Sequence, residues 1–457
     1  MHSLPAVLPW RTLSPLAVPA SGLLDSGMVK TAESQSARTN WSGNLVYGAR
    51  RFFVPETVDE AQAIVRAAQK LRALGSRHCF NRIADTGDTQ VSLERLNRVV
   101  SLDRAAARVT VEGGIRYGEL GPWLHAEGYA LANLASLPHI SIAGACATAA
   151  HGSGVRLGGL ATAVAAIEFI DADGDLVTLS RDKDPDTFPG AVVSLGALGV
   201  ITRLTLDVEP AFDVRQDVYR ALPFAALEPH FDEIMAAGYS VSLFTDWRGE
   251  AVDQVWVKSK LAGGEKFEPA PSLFGARPAT KNMHPLPALD AVHCTEQMGV
   301  PGPSYDRLPH FRMGFKPAIG EELQVEYFVP SEHAVEAVGT LHRWGDRMAP
   351  LLMVSEVRTI AADDLWMSPC YRQPCVAFHF SFRLDAPALD KFLPGLEEAL
   401  APFAPRPHWG KVFTMPPETV RARYPKLPAF RNLLDARDPK GKFRNAFVER
   451  YVFGTGA

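Results

Sequence analysis

The stretch from Leu131 to Gly154 restricts what this chain can fold into more than any other. It reads Leu-Ala-Asn-Leu-Ala-Ser-Leu-Pro-His-Ile-Ser-Ile-Ala-Gly-Ala-Cys-Ala-Thr-Ala-Ala-His-Gly-Ser-Gly and contains no Asp, Glu, Lys or Arg. Hydroxyls stand at Ser136, Ser141, Thr148 and Ser153 among mostly small residues. Neither strand alternation nor helical spacing fits it throughout, so much of it is expected to be irregular backbone. Buried irregular backbone leaves amides without ladder partners. A small-residue packing loop between two layers is one arrangement. Main chain wrapped on a buried polar ligand is another, because Gly144, Gly152 and Gly154 allow close approach. Composition leaves both open.

At 457 residues the chain exceeds one ordinary core, and two or three domains are expected. Its net charge of −4, without a long basic run, gives nucleic acid or an anionic membrane no electrostatic attraction. Residues 1–39 differ from the rest. Pro5, Pro9, Pro15 and Pro19 break the apolar residues, Arg11 sits among them, and no basic cluster leads. This segment reads as a disordered tail, or as an artefact of a start upstream of Met28. Cys79, Cys146, Cys294, Cys370 and Cys375 are scattered, with no Cys-x-x-Cys pair. That pattern suits a reducing, cytoplasmic compartment rather than a disulfide scaffold or zinc site, and no metal is expected.

Folded character begins near Asn40. Thr57 and Glu60 have the spacing of a capping box, and Ile64, Val65, Ala68 and Leu71 follow on one helical face. A short strand at Arg72–Leu74 runs into the polar loop Gly75-Ser76-Arg77-His78-Cys79-Phe80-Asn81. Strands are expected at 99–102, 108–112, 165–171, 176–180 and 200–208, with helices at 117–125 and 191–197. Ala172-Asp173-Gly174 signals a hairpin. Strands and helices mix without a regular βαβ beat, which favours α+β. No Gly-x-Gly-x-x-Gly follows a strand, so a Rossmann site is unsupported.

From about residue 212 glycines thin out and aromatics and prolines gather, marking a second domain. Strands are expected at 252–258 and 323–328, and a helix at 331–347. In Met353–Ile360, alternation puts Glu356 and Arg358 on one face. In Val376–Arg383, Phe378, Phe380 and Phe382 face one way, and His379, Ser381 and Arg383 the other. A half-solvated antiparallel sheet has the same pattern. The kinds of side chain, an acid, a guanidinium, an imidazole and a hydroxyl on neighbouring strands, suit a polar pocket wall. Lys411 closes Pro407-His408-Trp409-Gly410-Lys411, where a lone lysine is ordinarily solvated. Asp438 to Phe447 reads as a turn with an aromatic anchor.

Several ordered blocks together resemble one family. They are Gly75–Asn81, Ala135–Gly154, Tyr239–Trp247, Cys294-Thr295-Glu296-Gln297, Glu356-Val357-Arg358, His408-Trp409-Gly410-Lys411 and Asp438–Phe447. Over about residues 40 to 450 the sequence is similar to the alditol (xylitol) oxidases of the vanillyl-alcohol-oxidase flavoprotein superfamily. The resemblance implies a two-part PCMH-type FAD-binding domain over 40–211 and an α+β substrate, or cap, domain over 212–430. A C-terminal segment, 431–457, returns to the FAD domain. It implies FAD as cofactor, covalently held by a ring nitrogen of His78 on the flavin 8α-methyl carbon, a tether that raises the reduction potential. Cofactor contacts fall on Ala73, Leu74, Gly75, Ser76, Arg77, Cys79, Ser136, Ser141, Gly144, Thr148, Ala149, Ala150, His151 and Ile201, with His151 in a structural role. Arg77 and Cys79 stand where bacterial members carry glycine and serine.

The same resemblance places the polyol on Ser136, Glu356, Arg358, His379, Ser381 and Lys411, with Ser381 in place of a threonine. Glu356 accepts from adjacent hydroxyls and Arg358 donates as a fork. Lys411 and Arg358 steady the developing alkoxide, and His379 is the conventional proton acceptor. The implied reaction oxidises a terminal alditol hydroxyl to the aldose and reduces O₂ to hydrogen peroxide. Ala135 is expected near the flavin edge. An aldono-1,4-lactone oxidase or dehydrogenase of the same superfamily is the alternative, and a catalytically silent flavin-binding protein a second. Nothing fixes the oligomeric state, and a monomer is compatible.

Overall fold

The computed structural model describes residues 38–261, 270–314 and 322–455; all but the last two residues of the expected tail lie outside these. Three main sheets carry the chain. Strands Arg51–Phe53, Thr89–Ser92 and Leu71–Leu74 form a small parallel sheet with Thr89–Ser92 in the middle. The helix Val58–Ala67 packs Ala61, Ile64 and Val65 into a core with Phe53, Leu71, Val91 and Phe443. Thr57 caps that helix by accepting from Glu60 N. Glu60 itself reaches back to Glu56 N rather than to Thr57 N, so the expected box is displaced by one residue.

A five-stranded antiparallel sheet follows, in the order Val99–Asp103, Arg108–Glu112, Val200–Asp207, Val164–Ile170 and Leu176–Ser180. The helix expected at 191–197 lies earlier, at Phe188–Val192. Pro189 suits a first turn, and left-handed Leu195 (φ 53°) and Gly196 (φ 66°) prevent continuation. The Leu131–Gly154 stretch is largely irregular, broken only by the short helix Ile142–Ala147.

The second half is built on a nine-stranded antiparallel sheet. Its central order is Ala251–Leu261, Ser240–Thr245, Leu352–Ile360, Cys375–Arg383 and Glu322–Pro330. Phe378, Phe380 and Phe382 share one core with Leu389, Leu393 and Leu396 of the helix Ala386–Leu400, so that face is dry. The opposite, polar face is not half-solvated. Glu356 is 5% exposed and His379 8%. The Leu131–Gly154 stretch closes over it: Gly154 N donates to Thr359 O at 2.8 Å, and Ser136 O accepts from His310 N at 3.0 Å. Ser153 Oγ reaches Val241 O.

The C-terminal segment packs on the first sheet. Asp438 accepts from Lys442 N and Phe443 N, Lys442 O accepts from Leu71 N, and Arg72 donates to Phe443 O. All five cysteines are free thiols. Among the described residues no helix is long and apolar enough to cross a membrane.

Candidate active site

The two glycine-bearing loops meet through a reciprocal pair of hydrogen bonds. Ser141 N donates to Ser76 Oγ at 3.0 Å, and Ser76 N donates to Ser141 Oγ at 3.2 Å. A Cβ at Gly75 would lie 2.7 Å from Ser141 Oγ, and one at Gly144 2.9 Å from the same atom, so the two glycines leave the room that the Ser141 hydroxyl occupies. Arg77 sits at φ 64°, a left-handed conformation that costs a non-glycine residue about 1 kcal/mol. This is the position at which the resembled family carries glycine.

Both loops and the polar sheet face line one cavity of about 460 Å³. Ala73, Leu74, Gly75, Ser76, Arg77, His78, Cys79, Ser141, Gly144, Thr148, Ala150, His151 and Ile201 lie on its wall. Ala149 does not. Its backbone turns left-handed (φ 57°) and its methyl packs into the main core. Ser136, Glu356, Arg358, His379, Ser381 and Lys411 complete the same wall.

Strand register explains why the polar residues converge. Glu356 pairs with His379 and lies opposite Phe244 on its other side, while Glu326 pairs with His379 and Gln324 with Ser381. Directly opposed residues share a face, so one acid or base per strand accumulates into a row. Lys411 enters from the loop after Arg406–Pro407. Asn81 Nδ2 holds that loop by donating to Trp409 O at 2.8 Å and Lys411 O at 2.7 Å, which ties the lysine to the His78 loop.

Glu326, absent from the expectations, is the centre of the row. Only 1% exposed, it accepts from Arg358 Nη2 at 2.5 Å, meets His151 Nε2 at 3.1 Å, and stands 3.7 Å from Lys411 Nζ and 3.6 Å from His379 Nδ1. Burial raises its pKa, but Arg358, His151 and Lys411 more than reverse this, leaving it well below the carboxylate range. The signal was present in Glu322–Pro330, where Gln324 and Glu326 alternate with Leu323, Val325 and Tyr327.

These bonds alter two expected roles. One arm of the Arg358 fork belongs to Glu326, while Nη1 reaches Ser136 Oγ at 3.4 Å and buried Nε has no hydrogen-bond partner. Glu356 Oε1 is taken by His310 Nε2 at 2.8 Å, so one carboxylate oxygen rather than two remains for adjacent hydroxyls. Lys411 Nζ donates to Gln324 Oε1 and approaches His379 Nδ1 at 3.2 Å. An ammonium has no lone pair, so Nδ1 is the acceptor and the ring proton lies on Nε2, toward Ser381 Oγ at 3.4 Å. Burial, aided by Lys411, pushes His379 down to about 4. Burial likewise lowers Lys411, against the pull of Glu326.

Ligands of a metal ion could also be sought here, since His151, Glu326 and His408 approach within 4.8 Å. Arg358 and Lys411 already supply the counter-charge to that carboxylate, and His408 Nδ1 accepts from Gly410 N at 3.0 Å. The cluster is an ion-pair network. The cavity's other end suits an organic cofactor. His78 Nδ1 pairs with Ser76 Oγ at 3.0 Å, its ring stacks on Trp41, and buried Nε2 has no hydrogen-bond partner. Burial pushes His78 down to about 3, so the imidazole is neutral and nucleophilic. A glycine-paired loop junction beside an unprotonated imidazole fits a phosphate-bearing, ring-containing group.

Comparison with known proteins agrees with this arrangement. A family model described as an FAD binding domain matches residues 49–180, and one described as D-arabinono-1,4-lactone oxidase matches residues 321–451. The alditol oxidase of a Streptomyces species is 47% identical over 92% of this chain and 100% of its own. The L-gulono-1,4-lactone dehydrogenase of Mycobacterium tuberculosis is 31% identical over 91% of this chain and 98% of its own. Among solved structures, cholesterol oxidase from B. sterolicum superposes with a TM-score of 0.77 over 96% of this chain and 100% of that chain. At 15% identity that likeness concerns the fold alone.

Proposed function

The chain belongs to the alditol oxidase family of FAD-dependent oxidoreductases, and from that premise we propose that it oxidises the terminal hydroxyl of alditols such as xylitol and sorbitol to the aldose. One observation carries the reading: a polar wall of Ser136, Glu356, Arg358, His379, Ser381 and Lys411, four of them buried, shares its cavity with the His78 loop. FAD, when bound, supplies the hydride acceptor and passes the electron pair to O₂, yielding hydrogen peroxide. The Gly75–Cys79 and Ser141–His151 loops would hold its phosphates, and His78 would carry the covalent tether.

The chain's own residues do the rest. Glu356 accepts from a hydroxyl of the polyol, and Arg358 and Ser136 fix its neighbour. Lys411 and Arg358 stabilise the alkoxide that forms as the C–H bond breaks, in a site where burial strengthens each charge. His379 takes the hydroxyl proton at Nδ1 through Lys411 Nζ. Every group comes from one chain, so a monomer suffices, and five free cysteines suit a cytoplasmic location.

Three measurements test this. Xylitol, sorbitol and glycerol mixed with the yellow protein in air are expected to give peroxide; none from any of them, with the flavin intact, contradicts the reading. His78→Ala is expected to release its flavin to the supernatant on acid precipitation, whereas a yellow pellet refutes the tether. Falling pH protonates His379 and removes the acceptor. The acid limb of the reduction rate therefore has its midpoint near 4 rather than the ordinary 6.5. A limb centred on 6.5 would remove His379 from the proton path.

A further inference from the structure

Behind the polar wall lies a second row of buried polar groups that the proposed reaction does not use. Lys258, on the strand Ala251–Leu261, is 1% exposed. Its Nζ meets three acceptors: Leu308 O at 2.5 Å, Pro309 O at 3.0 Å and His310 Nδ1 at 3.1 Å. The other nitrogen of His310, Nε2, meets Glu356 Oε1 at 2.8 Å. The His310 ring is held edge-on between Trp256, 5.1 Å away, and Phe244, 5.5 Å away. Its backbone N donates to Ser136 O.

We propose that Lys258 and His310 are positioning residues forming a one-way hydrogen-bond relay that holds Glu356 ionised and aimed at the substrate hydroxyl. The proposal rests on the polyol reading of the site. Direction follows from donor counting. An ammonium has three N–H groups and no lone pair, and its three neighbours take all three. Nδ1 is therefore an acceptor, and the imidazole proton sits on Nε2. From there it points at the carboxylate, so Oε1 is engaged and Oε2, 3.6 Å from Arg358 Nε, is the oxygen that keeps room for a substrate hydroxyl. Without the ammonium Nδ1 loses its donor, and the Nε2 proton is held toward Glu356 by the carboxylate alone.

The electrostatics agree. Burial, with Lys258 beside it, pushes His310 down to about 4, so the ring is neutral. Glu356 lies well below the carboxylate range, because Arg358 and His310 outweigh the effect of its burial. Lys258 is drawn to about 7 by burial, with Glu356 and Cys294 opposing and Arg307 assisting, so the ammonium is intact at about pH 6. Polar groups this deeply buried cost free energy unless each is satisfied, and here each is.

The test measures xylitol binding to the anaerobically reduced holoenzyme at about pH 6, where affinity is read without turnover. His310→Leu and Lys258→Met are each expected to weaken binding about tenfold, the scale of a misdirected buried hydrogen bond. His310→Gln restores it to within about threefold, because its amide N–H₂ donates to Glu356 and its carbonyl accepts from Lys258. In a Glu356→Gln background, His310→Leu adds less than about twofold. Losses that multiply in that double variant, or His310→Gln binding as poorly as His310→Leu, overturn the relay. A ¹⁵N measurement of the His310 ring separates this proposal from the substrate assignment. A proton on Nε2, with an Nδ1 signal that moves in Lys258→Met as its donor is lost, supports the relay even if xylitol does not bind. A proton on Nδ1 in the unsubstituted protein overturns it even if xylitol does.

Discussion

Replacing Lys411 with methionine is expected to slow xylitol-driven flavin reduction by about 10³-fold while leaving the bound flavin spectrum nearly unchanged. Methionine keeps the apolar stem and volume of the side chain and removes only the ammonium. That half-buried ammonium is held against Gln324, His379 and Glu326 on the cavity wall. Its loss removes the charge nearest the forming alkoxide and the link by which a proton reaches His379 Nδ1. The loop itself stays anchored through Asn81, which binds Lys411 by its carbonyl and not its side chain. Rapid-mixing rates, compared at equal flavin content, check this. Turnover that survives the substitution would show that the charge of Lys411 is not needed.

Glu326→Leu carries the largest expected cost in stability, about 3–5 kcal/mol. The carboxylate is the shared counter-charge of Arg358 and Lys411, and removing it leaves Lys411 without its nearest acid and Arg358 with Glu356 alone. Denaturant unfolding of the holoprotein measures the loss, and a change below about 1 kcal/mol would mean the network is dispensable. Glu326→Gln keeps an oxygen for Arg358 and is expected to lose less. The pH dependence has a definite sign. Glu326 and Glu356 have folded pKa values below the unfolded carboxylate value, so their contribution is fully present above that value. It is lost as pH falls toward the folded values, since the unfolded chain then binds more protons. Glu326→Gln flattens the acid side of the stability profile.

Much of this site was legible in the sequence, and the missing parts share a physical cause. Alternation within Leu352–Ile360 and Cys375–Arg383 assigned Glu356, Arg358, His379 and Ser381 to faces, because a strand's period is local. Register is not local. Only the pairing of Glu326 with His379 brings the third strand's acid into the cluster, and Phe328 on the same face hides its polar pattern. Burial of that face was equally invisible, since the covering loop comes from the other half of the chain. Lys258 and His310 left no signal at all. A buried lysine depends on carbonyls of Leu308 and Pro309, fifty residues away in an irregular segment. Ala149 stands between two wall residues, Thr148 and Ala150, and only the left-handed backbone there turns its methyl into the core.

This polar wall is expected to take an open-chain polyol in preference to a lactone ring. Anaerobic mixing of the holoenzyme with xylitol and, separately, with L-gulono-1,4-lactone tests it most directly, followed as loss of the yellow flavin absorbance. Fast bleaching by xylitol with little or none by the lactone is the result expected. Bleaching by the lactone alone, with the flavin left oxidised by xylitol, would contradict it.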